Sequence, residues 1–132
     1  MPGQAVNPEN FTPAIGAYSH GVTFDIGGTR LLFVTGQIAI DQDGKLISKD
    51  IEEQTRFVFE NVGQILGAAG MSFLDVLKVQ IFLTDMRDFQ KVSAIRNRYL
   101  GQTRPASTLV EVSRLVKDGC KIEVEAIAAR SG

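Results

Sequence analysis

The stretch Cys120-Lys121-Ile122-Glu123-Val124-Glu125-Ala126-Ile127-Ala128-Ala129 decides how the chain folds. Cys120, Ile122, Val124, Ala126 and Ala128 share one side, while Lys121, Glu123 and Glu125 share the other. A period of two is the mark of an extended strand with one buried face. Just before it, Ser107 to Val112 reads as another strand. Further back, Val76 to Thr84 places Val79, Ile81 and Leu83 on one face.

Between these strands the period changes. Ile51, Thr55, Val58, Val62, Ile65, Leu66 and Ala69 recur at spacings of three and four, one face of a helix. Asp50 followed by Glu53 fits its capped start, and Gly70 its end. Asp88 predicts the cap of a second helix, from about Phe89 to Leu100, closed by Gly101. Toward the N-terminus, Gly21 to Ile26 and Leu31 to Ile40 read as strands joined by a Gly27-Gly28 hairpin. Thr35-Gly36-Gln37 interrupts the second, and a glycine there marks a bulge or a close approach to the backbone.

The order strand, strand, helix, strand, helix, strand, strand predicts an α+β sandwich, with two helices on one face of a mixed sheet. The other face carries Lys78, Gln80, Glu123 and Glu125 among apolar neighbours. Such a face is either solvated or covered by another copy, and its mixed chemistry leans toward a wet subunit interface closed into a ring.

At 132 residues the chain holds one domain, read as residues 14–132 after an N-terminal arm, residues 1–13. Pro2, Gly3, Pro8 and Pro13 make that arm loose unless something covers it. Lys plus Arg is 14 and Asp plus Glu is 15, which argues against a broad phosphate-binding surface and so against nucleic acid. One Cys and one His exclude a structural zinc site and an intrachain disulfide, pointing to an intracellular, cytoplasmic protein. Leu31 to Val34 is far too short to span a bilayer, and no secretion signal is visible.

No nucleophile elbow, phosphate loop or dinucleotide fingerprint is present. Asp41, Asp43 and Gly44 read as a hairpin turn, since a calcium loop needs further acidic ligands. His20 is either a general base or a hydrogen-bonded residue beside a loop. Cys120 reads as a buried, inert thiol. Glu125, in mid-strand, is either a desolvated carboxyl with a raised pKa or the cross-strand partner of a cation. Tyr18 lines a cleft or covers the core edge.

Several segments together resemble the RidA/YjgF family of reactive-intermediate deaminases. They are Ala14-Ile15-Gly16-Ala17-Tyr18, Thr35-Gly36-Gln37-Ile38, Gln54 to Gly70, Val79 to Asp88, Pro105-Ala106 through Val112, and Leu115 through Ala128. The resemblance implies a chorismate-mutase-like fold, a six-stranded mixed sheet, and a homotrimer that binds small molecules in clefts between subunits. It implies hydrolysis of enamines and imines to ketoacids and ammonia, with no cofactor and no metal. Glu125 matches the family's proton-handling carboxylate, Tyr18 its cleft aromatic and Gly36 its strand glycine.

The family motif Pro-Ala-Arg-Ser/Thr reads Pro105-Ala106-Ser107-Thr108, so Ser107 stands where an Arg clamps the substrate carboxylate. Ser93 aligns with a position that is Asn in active members. A guanidinium grips a carboxylate through two charge-assisted hydrogen bonds, which one neutral hydroxyl does not match. Arg104, three residues before Ser107, points to the opposite face if the chain is extended there. Three functions follow in order: an imine hydrolase with an altered substrate range, a non-catalytic trimer that binds a ligand or regulates a partner, and an RNA-directed role that the neutral charge disfavours.

Overall fold

A computed structural model describes residues 3–132; Met1 and Pro2, the first residues of the expected arm, lie outside the described residues. Six strands form one sheet: β1 (Gln4–Val6), β2 (Gly21–Ile26), β3 (Thr29–Gln37), β4 (Val76–Leu83), β5 (Ala106–Glu111) and β6 (Ile122–Ser131). Their order across the sheet is β1-β2-β3-β6-β4-β5. Only β4 and β5 run parallel, joined by a helical crossover. The α+β class, the mixed sheet and the two helices are as the sequence predicts; the sixth strand, β1, is as the family resemblance implies.

Helix α1 (Ile51–Ala68) starts where Asp50 accepts a hydrogen bond from the Glu53 N–H at 3.0 Å. Its apolar stripe is buried, with Val58, Ile65 and Leu66 inaccessible. They pack on the face of the sheet that carries Leu32, Val34, Val79, Ile81, Ile122 and Val124. Gln54, also inaccessible, ties α1 to the chain entering β6: its Nε2 donates to the carbonyls of Ser48 and Gly119, and its Oε1 accepts from Lys121 N–H.

Boundaries differ in several places: β5 and β6 are offset from the expected strands by one and two residues, and three further differences have a local reason. The arm is not wholly loose, because β1 pairs antiparallel with β2. The strand expected to run from Leu31 to Ile40 starts at Thr29 and ends at Gln37, since the register slips between Val34 and Gln37. Asp88 makes no side-chain cap; a 3-10 turn, Met86–Asp88, leads into α2 (Phe89–Leu100), and Asp85 caps that turn instead. Helix α2 ends at Leu100 with Gly101 as its C-cap, as expected; the chain turns left-handed three residues on, at Arg104, with φ of 51° and its N–H on the Leu100 carbonyl at 2.8 Å.

Gly27 and Gly28, with φ of 54° and 83°, form the two-residue turn that pairs Ile26 with Thr29. The Asp41 carboxylate accepts from the N–H groups of Asp43 and Lys45, which closes that loop as a turn. The face of the sheet away from the helices is open. Phe33 is 47% exposed there, and Phe24 and Val110 are also exposed.

Candidate active site

The register slip in β3 positions the first cleft. Val34 pairs with Ala126 and Gln37 with Val124, so two residues, Thr35 and Gly36, bulge out of the ladder. The bulge sets Gly36 against the side chain of Glu123 on β6. A Cβ built on Gly36 would overlap Oε2 of Glu123 and stand 2.8 Å from its Cδ. Tyr18, His20, Gly36, Gln37 and Glu123 line one cleft of about 290 Å³.

Hydrogen bonds fix the wall of this cleft. His20 is buried, and its Nε2 donates to the Thr12 carbonyl at 2.6 Å. That leaves Nδ1 to accept from Gln37 Nε2 at 3.2 Å. His20 thus serves as a structural clip between the segment carrying Thr12 and the bulged strand. Tyr18 stands at the mouth, 44% exposed, its Oη accepting from the Ile15 N–H. Burial pushes the Glu123 carboxyl above the ordinary glutamate range, and the nearby Glu125 charge pushes it further.

Glu125 lies elsewhere. It points from the same side of β6, two residues along, and pairs across the sheet with Gln80. It is exposed and lines a separate cleft of about 340 Å³ with Lys78, Gln80 and Phe82 on the open face. The carboxyl that accompanies Tyr18 and Gly36 is Glu123. Periodicity gave both glutamates the same face; the β3 bulge, which decides between them, comes from a different part of the chain.

Thr108 is exposed on β5, in register with Gln80. Ser107 belongs to a third place, the groove between α2 and β5, and Ser93 is tied to one of its lining residues. The groove's volume is about 450 Å³, and Arg96, Arg104 and Ser107 line it. Arg96 Nη2 donates to Ser93 Oγ at 2.7 Å. Arg104 reaches the same groove as Ser107 because its left-handed backbone breaks the extended geometry that would have turned it away. Within one chain the expected residues are therefore dispersed: Tyr18 with Gly36, Glu125 on the open face with Thr108 two strands away beyond Gln80, Ser107 in the α2–β5 groove, and Ser93 bonded to Arg96 of that groove.

Cys120 is 4% exposed, and burial pushes its thiol up. Among the described residues, no group of three His, Cys, Asp or Glu side chains is placed to hold a metal ion. No helix among them is long and apolar enough to cross a membrane.

The family model described as endoribonuclease L-PSP matches residues 9–130. A RutC family protein of Pyrococcus horikoshii is 44% identical over 126 residues, covering 95% of this chain and 96% of that protein. The 2-iminobutanoate/2-iminopropanoate deaminase of Salmonella typhimurium is 38% identical over 130 residues, covering 96% and 98%. The crystal structure of Escherichia coli TdcF with bound serine superposes with a TM-score of 0.84 at 35% identity, covering 97% of this chain and 99% of that one. With a family model spanning nearly all of it and relatives matched along nearly their whole lengths, the chain belongs to the endoribonuclease L-PSP family, the RidA/YjgF family that its motifs resemble.

Proposed function

We propose that this protein hydrolyses small enamines or imines to carbonyl compounds and ammonia, in clefts between the subunits of a homotrimer. The observation that carries the reading is the Tyr18, Gly36 and Glu123 cleft, where a half-buried carboxyl has a raised pKa. A relative named as an imine deaminase supports the reaction class, and another seen with bound serine supports a small, amino-acid-like ligand.

The chemistry asks little of the protein. A protonated C=N carbon is already electrophilic. An enamine reaches that state when its β-carbon takes a proton. Water then adds to the carbon, and one of its protons passes to a base. A carboxylate whose pKa is raised accepts that proton and, now a carboxylic acid, returns it to the nitrogen. The C–N bond breaks, ammonia leaves, and the remaining hydroxyl loses its proton to become C=O. Glu123 is the residue we assign to this shuttle, in preference to Glu125, because it shares its cleft with Tyr18 and Gly36. Positioning of water and imine supplies much of the remaining acceleration.

The homotrimer rests on the open face. Phe24, Phe33 and Val110 are exposed beside Lys78, Gln80 and Glu125, a mixed apolar and polar surface suited to a wet interface. Ser107 takes away the guanidinium of the family motif, so the substrate range differs from that of members with the Arg. The loss also favours a second reading, a trimer that binds a small ligand without turning it over.

Ammonia release separates the two. Full-length protein mixed with 2-aminoacrylate generated in situ, or with a carboxylate-free imine, accelerates ammonia formation. Glu123→Gln lowers that rate by about 100-fold or more, in keeping with the worth of a general base. An imine panel with no acceleration at all rejects the hydrolase.

A further inference from the structure

We propose that His20 is a positioning residue for the hydrolysis: its imidazole holds the Thr35-Gly36-Gln37 bulge in the shape that seats Gly36 against the Glu123 carboxyl. The catalytic part of this rests on the deaminase reading; the mechanical link from His20 to Glu123 does not.

Both ring nitrogens of His20 are in use, so neither is left to take a proton from water or substrate. The Thr12 carbonyl can only accept, so Nε2 carries the hydrogen that spans the 2.6 Å between them. Nδ1 is then bare and accepts from Gln37 Nε2 at 3.2 Å. The same amide nitrogen donates to the Thr35 carbonyl at 3.0 Å. Turned the other way, Gln37 would set its Oε1 against that carbonyl and the bare Nδ1, with no hydrogen between them. One tautomer of the ring therefore fixes one orientation of the amide. His20 is 6% exposed and Gln37 3%, so little water competes for these bonds.

The main chain repeats the hold. Thr35 N–H donates to the His20 carbonyl at 2.8 Å, and Thr35 Oγ1 to the Ser19 carbonyl at 2.6 Å. Both residues that flank Gly36 thus hang on the Ser19-His20 segment, Thr35 by main chain and hydroxyl, Gln37 by its amide. The ladder with β6 does not fix Gly36, because its register skips from Val34 to Gln37. The place of Gly36 is therefore set by its neighbours. The His20 ring also meets Tyr18 edge to face, with centroids 6.2 Å apart, and Phe11 at 4.8 Å. One buried imidazole packs against the aromatic at the mouth of the cleft and steadies the strand that backs Glu123.

The test pairs a structural readout with a kinetic one, on the full-length protein. Nitrogen NMR at about pH 7 finds His20 protonated at Nε2 and bare at Nδ1. His20→Leu removes both ring bonds. Its kcat for the imine turned over fastest falls about tenfold or more, while KM changes less than about threefold, because the reacting group moves and the other contacts stay. His20→Gln, which offers an N–H and a carbonyl on one side chain, recovers most of the loss. Combining His20→Leu with Gly36→Ala costs less than the product of the two, since both displace the same carboxyl. The Glu123 carboxyl, followed by carbon NMR, titrates closer to the ordinary glutamate range in His20→Leu than in wild type, because the loosened bulge admits water. Thermal melts confirm folding; should His20→Leu not fold, Gln37→Met severs the Nδ1 link alone and replaces it in each measurement. A hydrogen on Nδ1, wild-type kcat in the severed variant, or a loss carried by KM alone overturns the positioning role. A wild-type protein that turns over no imine removes the hydrolase, and the Glu123 titration then decides the link by itself: moved in the severed variant, the link stands; unmoved, it falls.

Discussion

Glu123 and Gly36 fit one another: the carboxylate on β6 rests in the space where residue 36 of the bulged strand has no side chain. A methyl at position 36 would meet the Oε2 end first, then Cδ and Cγ at 2.8 and 3.0 Å. The obstacle is the flexible end of a side chain, so the backbone survives and the carboxylate moves. Gly36→Ala is therefore expected to lower kcat/KM for imine hydrolysis by about tenfold or more, since small misplacements at a reacting centre are costly. Its melting temperature stays within about 5 °C of wild type, a shift worth about 1 kcal/mol in a domain this size. Steady-state ammonia release and a thermal melt check the two halves.

The raised pKa of Glu123 fixes the sign of a pH effect. Between the ordinary glutamate range and the raised value, the folded chain keeps a proton that the unfolded chain has lost. The stability tied to this carboxyl is thus complete at low pH and is lost as pH rises through that window. Glu123→Gln removes the loss. Melts from about pH 4 to about pH 8 should show the variant gaining on wild type as pH rises. The Glu125 charge contributes to the shift, so Glu125→Gln moves the Glu123 limb of the pH–rate profile to lower pH. A limb that stays in place would mean the two carboxyls do not sense each other.

Gln54 holds three backbone groups that no neighbour replaces: the carbonyls of Ser48 and Gly119 and the N–H of Lys121. Gln54→Ala leaves all three without their partner and opens a void beneath α1. A loss of about 3–5 kcal/mol follows from bonds of roughly 1 kcal/mol each plus the penalty of orphaned buried groups. Urea denaturation measures it, and a loss below about 1 kcal/mol would show that water satisfies these groups as well as the amide does.

Assembly is tested at Phe33, which is 47% exposed on the open face. Light scattering on the wild-type protein should give three times the chain mass of 14.4 kDa. Phe33→Glu sets a charge into the face, lowers the mass toward a single chain and removes imine hydrolysis with it. A wild-type monomer at micromolar concentration removes the basis for clefts between subunits.

Much of this was legible in the chain because it is local. The period of two in Ile122 to Ala128 and the spacing from Ile51 to Ala69 fix the sheet and the helix without knowledge of any partner. What escaped was non-local. Glu123 and Glu125 are equivalent under strand periodicity and differ only in what lies across from them, and that depends on a bulge about ninety residues earlier. The Thr35-Gly36-Gln37 interruption was the one available signal. The side on which Arg104 falls depended on whether the chain is extended there, and a left-handed turn at that residue, beyond the end of α2, decides it.

Cys120 bears on durability. Imines and 2-aminoacrylate are electrophiles, and an accessible thiolate beside them would invite self-alkylation over repeated turnovers. The only sulfhydryl of this chain is shielded beneath Ile38 and Ile40 and is kept protonated by its surroundings. In the proposed hydrolase, burial would keep this thiol out of reach of the electrophiles that enter the cleft.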